Sequence, residues 1–364
     1  MKFSCKIENL KKGLQIVSHI VGKNQTLPIL NNVLLEAKEG ILSLSTTNLE
    51  IGIKTSIRGK VDKPGSITVP ARLLSEYINN LNSETVDLET QKTNLKISSK
   101  GSNTTIKGLG AAEFPLLPDI EPTTRFEIDV KTLKKSLEQT VLASANDSSR
   151  PELCSVLLKL SNKQLTLTAT DSYRLAEKKI VLEQDLNMSV LIPQSTLQEV
   201  NRVFDNSDGG SVKVELTDNQ IKFSNDSYFL ISRVSEGQFP DYEQIIPNNN
   251  KTQCIVDVKG FTKAVRAASI FCRQGIDDIK LDLKNNKITL TATNDKIGES
   301  FIEIDADMVG PENSIVFNYH YLLDVLGVID STEVDFGISE SNLPGVIRPH
   351  GDDKYTYVIM PIRQ

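Results

Sequence analysis

Apolar and polar residues alternate through three short segments, ILSLSTTN at residues 41–48, QLTLTATD at 164–171 and KITLTATN at 287–294. Leu42 and Leu44 stand against Ser43 and Ser45, Leu165 and Leu167 against Thr166 and Thr168, and Ile288 and Leu290 against Thr289 and Thr291. A period of two predicts strands with one buried and one wet face, hence antiparallel sheets covered on one side only. The three segments are alike and stand 123 residues apart, so the chain reads first of all as a repeat. VPARLL at 69–74 answers IPQSTL at 192–197, and the Phe114-Pro115 pair answers Phe239-Pro240 at a slightly longer offset. Three domains follow, residues 1–122, 123–249 and 250–364, with boundaries in the Pro- and Asn-rich stretches 117–122 and 246–250.

Each repeat has a fainter symmetry inside it. In its first half a short strand leads to a helix with Leu10, Leu14, Val17 and Val21 at helical spacing, followed by strands LPILNNVLLEA, ILSLST and LEIGIKTSI. In its second half SITVP leads to a helix with Leu74, Tyr77, Ile78 and Leu81, followed by TVDLET, NLKISS and NTTIKGL. Each domain is expected to be two strand-helix-three-strand units, with the helix pair on one side: an α+β fold.

At 364 residues the chain is too long for a single core, and 39% hydrophobic with 24% charged residues is the composition of a folded protein. The opening MKFSCKIENLKKG lacks a signal-peptide core and no apolar run spans a bilayer, so the expectation is a cytoplasmic protein with no membrane partner. Cys5, Cys154, Cys254 and Cys272 form no CxxC pair and read as small apolar fillers. The net charge of −6 argues against a broad basic surface, so a nucleic-acid role would need segregated charge. Predicted helices 9–20, 129–142 and 257–269 carry +2, +1 and +2, while 71–82, 194–205 and 317–328 carry 0, −1 and −1. The helices thus total +3 and the remainder −9, which suits a mildly positive helix layer and acidic sheets.

Catalytic constellations are missing. Gly108-Leu109-Gly110 is the only G-x-G, and Glu113 stands where a dinucleotide fingerprint needs its third glycine. There is no GxxxxGK[ST], HExxH or GxSxG. His19, His320 and His350 fall in unrelated contexts, and Asp277-Asp278 and Asp352-Asp353 read as solvated loop pairs. Neither a metal nor a cofactor is expected. An enzyme with a dispersed, motif-free site and a three-domain scaffold unrelated to replication stay open as alternatives.

The opening MKF, TLPILNNVLLE, TVPAR, AAEFP, TATDSYRLA, FPDY and YVIMPIR occur in this order across the full length. At these landmarks the chain resembles the bacterial DNA polymerase III beta subunit, the beta sliding clamp family. The resemblance implies three similar clamp domains per subunit and a head-to-tail homodimer forming a six-domain ring around duplex DNA. It also implies a non-catalytic processivity subunit, which tethers the polymerase III catalytic subunit, the clamp loader and other replication and repair proteins through a short clamp-binding peptide. Size favours six domains over three: bodies of about 120 residues are about 35 Å across, so three touch at the centre and six leave a hole of about 35 Å.

The same resemblance assigns residues. DNA contacts fall to Lys23, Asn24 and Gln25, to Arg72, Lys134, Lys135 and Lys263 on helices, and to Arg150 and Arg273 in loops. Asn24 replaces an arginine common in the family, so either Lys23 supplies the charge there or the contact is weaker. The dimer interface is assigned to Thr104 and Ile106, opposite Ile270 and Phe271, and Thr104 is smaller than its counterpart in some relatives. The peptide pocket is assigned to Leu153, Thr170, Ser172, Tyr173, Arg174, Leu175, Pro240 and Ile245, with Val358, Met360, Pro361, Ile362 and Arg363 in an apolar, mobile tail. Gln244 and Gln364 depart from the family pattern.

Overall fold

A computed structural model describes residues 1–364 except 23–25, 148, 206–208, 248 and 364. The first repeat opens with β1 (Lys2–Lys6), α1 (Ile7–Val17), β2 (Asn32–Lys38), β3 (Ile41–Thr47) and β4 (Ile51–Arg58). Its second half is β5 (Lys60–Lys63), β6 (Gly65–Pro70), α2 (Ala71–Asn79), β7 (Thr85–Gln91), β8 (Asn94–Ser99) and β9 (Ser102–Lys107). The second repeat runs β10 (Thr124–Asp129), α3 (Val130–Val141), β11 (Ser155–Ser161), β12 (Gln164–Thr170) and β13 (Arg174–Val181). It continues with β14 (Met188–Pro193), α4 (Gln194–Phe204), β15 (Ser211–Leu216), β16 (Gln220–Ser224) and β17 (Tyr228–Arg233). The third has β18 (Thr252–Asp257), α5 (Val258–Ser269), β19 (Asp278–Lys284), β20 (Lys287–Asn294) and β21 (Gly298–Asp305). The chain then closes with β22 (Asp307–Val309), β23 (Asn313–Asn318), α6 (Tyr319–Val328), β24 (Glu333–Ile338), β25 (Gly345–Pro349) and β26 (Tyr355–Ile359).

The elements depart from the sequence reading in a few places. LPILNNVLLEA is a strand only from Asn32, because Pro28 opens a 3-10 turn, Pro28–Asn31, ahead of it. The short strands β5 and β22 carry no alternating signal and were not foreseen. Helix α1 starts at Ile7, which takes Glu8 into its first turn beside the positive end of the helix dipole, and it stops at Val17, so the buried Val21 lies beyond it.

Contacts divide the chain into two compact units, residues 1–132 with 199–234 and residues 133–198 with 235–364. The first unit holds a five-stranded sheet, β5-β1-β7-β8-β9, and an eight-stranded sheet, β10-β15-β16-β17-β4-β3-β2-β6. The second holds a nine-stranded sheet, β14-β11-β12-β13-β26-β25-β24-β18-β22, and a four-stranded sheet, β21-β20-β19-β23. In every repeat the leading strands change places. β1 pairs with β7 and β6 with β2 (Phe3 opposite Leu88, Val69 opposite Val33), just as β18 pairs with β24 and β23 with β19. The sheets also run on from one repeat into the next, through β4 against β17 and β13 against β26.

The helices bury the stripes that their spacing predicts: Leu10, Leu14 and Val17 on α1, Leu74 and Ile78 on α2, Phe261, Val265 and Ala268 on α5, and Leu322, Val325 and Leu326 on α6. Asp257 caps α5 through the Gly260 N–H at 2.6 Å, and Asn318 caps α6 through that of His320 at 2.9 Å. Phe336 packs between Phe261 and Phe317, each with ring centroids 6.2 Å away. Burial pushes the thiols of Cys5 and Cys254 up to about 12, so both stay protonated among apolar neighbours. Among the described residues no helix is long and apolar enough to cross a membrane.

The expectation of sheets with one wet face fails in part. Ser45, Thr166 and Thr168 are buried, whereas Thr289 and Thr291 in the third repeat are half-buried. At Thr168 the segment 239–246 of the same unit packs over its register neighbours Leu157 and Glu177.

Gly59 marks where the chain leaves one sheet for the other, between β4 and β5. A Cβ there would lie 2.3 Å from the Phe3 ring and 2.5 Å from the Ser4 carbonyl oxygen. The backbone oxygen has no way to swing aside, so Gly59→Ala is expected to cost about 2 kcal/mol of stability. Urea unfolding followed by circular dichroism measures it; an unchanged midpoint would show that the crossing tolerates a side chain.

Candidate partner-peptide site

The second unit places an apolar patch on the face of its large sheet opposite the helices. Strand register puts Thr170, Leu175, Val358 and Val346 side by side in one row, and Leu157, Thr168, Glu177 and Thr356 in the next. Leu175, Val346 and Val358 are buried in one cluster with Tyr242, and Leu157, Phe239 and Ile246 pack against it. Tyr242 meets Phe239 edge-on, with centroids 6.0 Å apart, and its hydroxyl donates to Glu177 Oε2 at 2.9 Å. Lys179 Nζ lies 2.9 Å from the other Glu177 oxygen, so the buried carboxylate has a partner on each side. Burial, with Glu177 alongside, pushes the Tyr242 hydroxyl well above the usual tyrosine range and keeps it a donor.

One wall of the patch is the β12–β13 hairpin. Asp171 Oδ1 accepts the N–H groups of Tyr173 (2.9 Å) and Arg174 (3.0 Å), and Ser172 adopts φ +78°. Asn48 does the same for Glu50 and Ile51 in the first repeat, and Asn294 accepts from Lys296 in the third. The cap therefore belongs to the repeat; what is peculiar to the second copy is Arg174. Its Nε donates to Asp171 Oδ2 at 3.0 Å, its Nη1 to Asp324 and to the Tyr357 hydroxyl (3.4 Å), and its guanidinium lies 4.6 Å from the Tyr321 ring centroid. Burial alone would loosen its proton, but Tyr357, Asp324 and Asp171 outweigh that and hold the charge more firmly than usual.

The tail, expected to be mobile, makes two main-chain hydrogen bonds here. The Met360 N–H donates to the Tyr173 carbonyl at 2.8 Å and that of Ile362 to Val316 at 2.9 Å, leaving Met360, Pro361 and Ile362 half-buried. Arg363 is exposed. Tyr173 (64% exposed) and Ile245 (41%) leave apolar surface open, with Pro240 half-buried. Leu153 is buried in its own loop, where its carbonyl takes the Ala145 N–H. The sequence reading missed Leu157, Tyr242, Val346, Ile246, Tyr321 and Asp324; Leu175 and Val358, apolar at strand positions facing away from the helices, were the available signal.

Lys23, Asn24 and Gln25 lie outside the described residues. Arg72 Nη2 donates to the Val21 carbonyl at 3.0 Å, and Lys263 is exposed on α5. The other cations proposed for DNA stand beside carboxylates: Lys134 3.9 Å from Glu138, Lys135 2.6 Å from Asp330, Arg150 3.2 Å from Glu152, and Arg273 with Asp278. On the proposed dimer surface Thr104 is half-buried and Ile106 faces its own core, while Ile270 (69% exposed) and the half-buried Phe271 follow α5.

Family models for the N-terminal, central and C-terminal domains of the DNA polymerase III beta subunit match residues 1–118, 127–241 and 243–363. The chain belongs to the DNA polymerase III beta subunit family. It is 32% identical to the beta sliding clamp of Bacillus subtilis over the whole of both chains, and 32% to that of Staphylococcus aureus over 100% and 99%. The crystal structure of the Bacillus subtilis sliding clamp superposes with a TM-score of 0.95 at 31% identity over 100% of this chain and 99% of that one. A Pseudomonas aeruginosa clamp bound to griselimycin superposes with 0.96 at 30% over the whole of both. The fold is three beta-clamp domains, and the function is that of a sliding clamp for a DNA polymerase, a non-catalytic processivity factor. Nothing in these likenesses supports the dispersed enzyme or the unrelated scaffold.

Tyr242→Phe removes one of the two partners of a buried carboxylate, and should lower stability by about 1–3 kcal/mol. Chemical denaturation of the purified variant measures it, and a variant as stable as the native clamp would mean that water reaches Glu177.

Proposed function

We propose that the clamp, with its domains bounded near residues 122 and 249, acts as a head-to-tail homodimer encircling duplex DNA. The observation that carries this is a pairing rule. The last strand of a repeat's first half pairs with the last strand of the following repeat's second half, β4 with β17 and β13 with β26. By that rule β21 has no repeat left to pair with, and β9, the remaining last strand, ends its own sheet. A second copy satisfies both, β21 of one against β9 of the next, and the two-copy ring closes. Ile270 and Phe271 follow α5, which packs against β21, and supply the apolar part of the joint.

Within such a ring the DNA contacts are weak by construction. Lys134, Lys135, Arg150 and Arg273 each share their charge with a carboxylate, so phosphates gain little from them, and retention is topological rather than by affinity. Rings loaded on nicked circles should survive high salt and run off linear duplex with free ends; replacing Ile270 and Phe271 with alanine should give monomers on a sizing column and abolish retention. Equal retention on circle and linear DNA defeats the topological reading, and an unchanged dimer defeats the interface.

The patch of Leu175, Val346, Val358 and Tyr242, walled by Tyr173 and the tail, serves as the docking pocket for the polymerase catalytic subunit, the clamp loader and other replication and repair proteins. A related clamp taking griselimycin supports a ligand site on this fold. Partners offer a short peptide with a glutamine and two bulky apolar residues, which suits an apolar floor beside exposed main-chain and polar groups. Deleting residues 360–364 should abolish peptide binding and polymerase stimulation on primed circular DNA while leaving the dimer intact. Full-strength binding of a fluorescent partner peptide by the truncated ring refutes the site.

A further inference from the structure

Where the second repeat has Arg174 the other repeats carry an uncharged apolar residue: 123 positions before and after it stand Ile51 and Ile297. Its side chain, 11% exposed, bridges two elements, bonding Asp171 in its own hairpin and Asp324, the sixth residue of α6. The sixth residues of α2 and α4 are also acidic, Glu76 and Glu199, but Glu199 is bonded to Arg202 at 2.8 and 2.9 Å and to His19. An acid at this helix position is common to the repeats, and only in the third does it reach a hairpin arginine.

Helix α6 does not need Asp324 for its own place. Leu322, Val325 and Leu326 bury its inner face, Asn318 caps its start, and the Asp324 side chain is 43% exposed. Arg174 does need it: without Asp324, Nη1 keeps only the long contact to the Tyr357 hydroxyl. A displaced guanidinium would leave the Asp171 turn capped but no longer tied to α6, and the Tyr173 carbonyl, which holds the Met360 N–H, moves with that hairpin.

We propose that Asp324 is a positioning residue of the peptide pocket: it fixes Arg174, and through it the Tyr173 hairpin and the Met360 tail, as one wall for the partner peptide. The proposal rests on the pocket reading above. It is tested on the full-length clamp with a fluorescein-labelled synthetic peptide carrying a glutamine and two bulky apolar residues, read by anisotropy alongside thermal unfolding. Asp324→Asn should weaken binding about tenfold with an unchanged unfolding midpoint, and Asp324→Glu should recover part of the loss. Arg174→Ala should weaken binding at least as much, and adding Asp324→Asn to it should cost nothing more. Native affinity in Asp324→Asn overturns the inference, as does full additivity of the two changes or a loss that tracks stability and is not recovered by glutamate. A native clamp that fails to bind the peptide sinks the pocket reading itself, and the inference with it.

Discussion

Backbone groups along the edge of a sheet demand partners, and most of this molecule is arranged around meeting that demand. Each repeat exchanges its leading strands between its two halves, so no half-unit completes a sheet alone. The sheets then continue from repeat to repeat through β4 with β17 and β13 with β26. Edge-to-edge pairing, which threatens many proteins with aggregation, becomes here the means of assembly. The helices need only cover the inner faces, and their short apolar stripes are enough for that.

Threefold repetition also separates what is common to the copies from what is particular to one. The Asn or Asp at the end of Thr47, Thr170 and Thr293 caps a turn in all three copies, so the cap says nothing about binding. Leu175 and Arg174 differ from Gly52 and Ile51 at matching places, and these departures sit at the patch. Gly52 is itself filled over, since a Cβ there would come within 2.3 Å of Leu117, whereas in the second repeat Leu175 presents its side chain to Tyr242 and Val358. The same scaffold thus closes one junction on itself and equips another with an apolar floor.

Much of the fold was legible because its signals are local. The alternation in ILSLST, QLTLTA and KITLTA, and the spacing of Leu10 with Leu14 or Leu74 with Ile78, give element type directly. Strand exchange was not legible, since nothing in KFSCK names β7 as its partner. The site was half legible: Leu175 and Val358 follow from motif and place, but Asp324 reaches Arg174 across 150 residues of sequence, and Tyr242 finds Glu177 across 65. The buried Thr168 misled for the same reason, because the segment that packs over its neighbours Leu157 and Glu177 comes from far along the chain.

The exchange of leading strands has a consequence for how the chain reaches its native state. Lys2 must wait for Glu89 and Thr55 for Tyr228 before either pairing exists. As the chain emerges from synthesis, the first half-repeat can collapse and form its helix, but it cannot close its sheet, and the first repeat as a whole still shows an open β4 edge until the second is made. Partly made chains are therefore exposed for as long as translation takes, and the polar, lysine-bearing strands at the outer edges, KVDK in β5 among them, stand where stray pairing would otherwise begin.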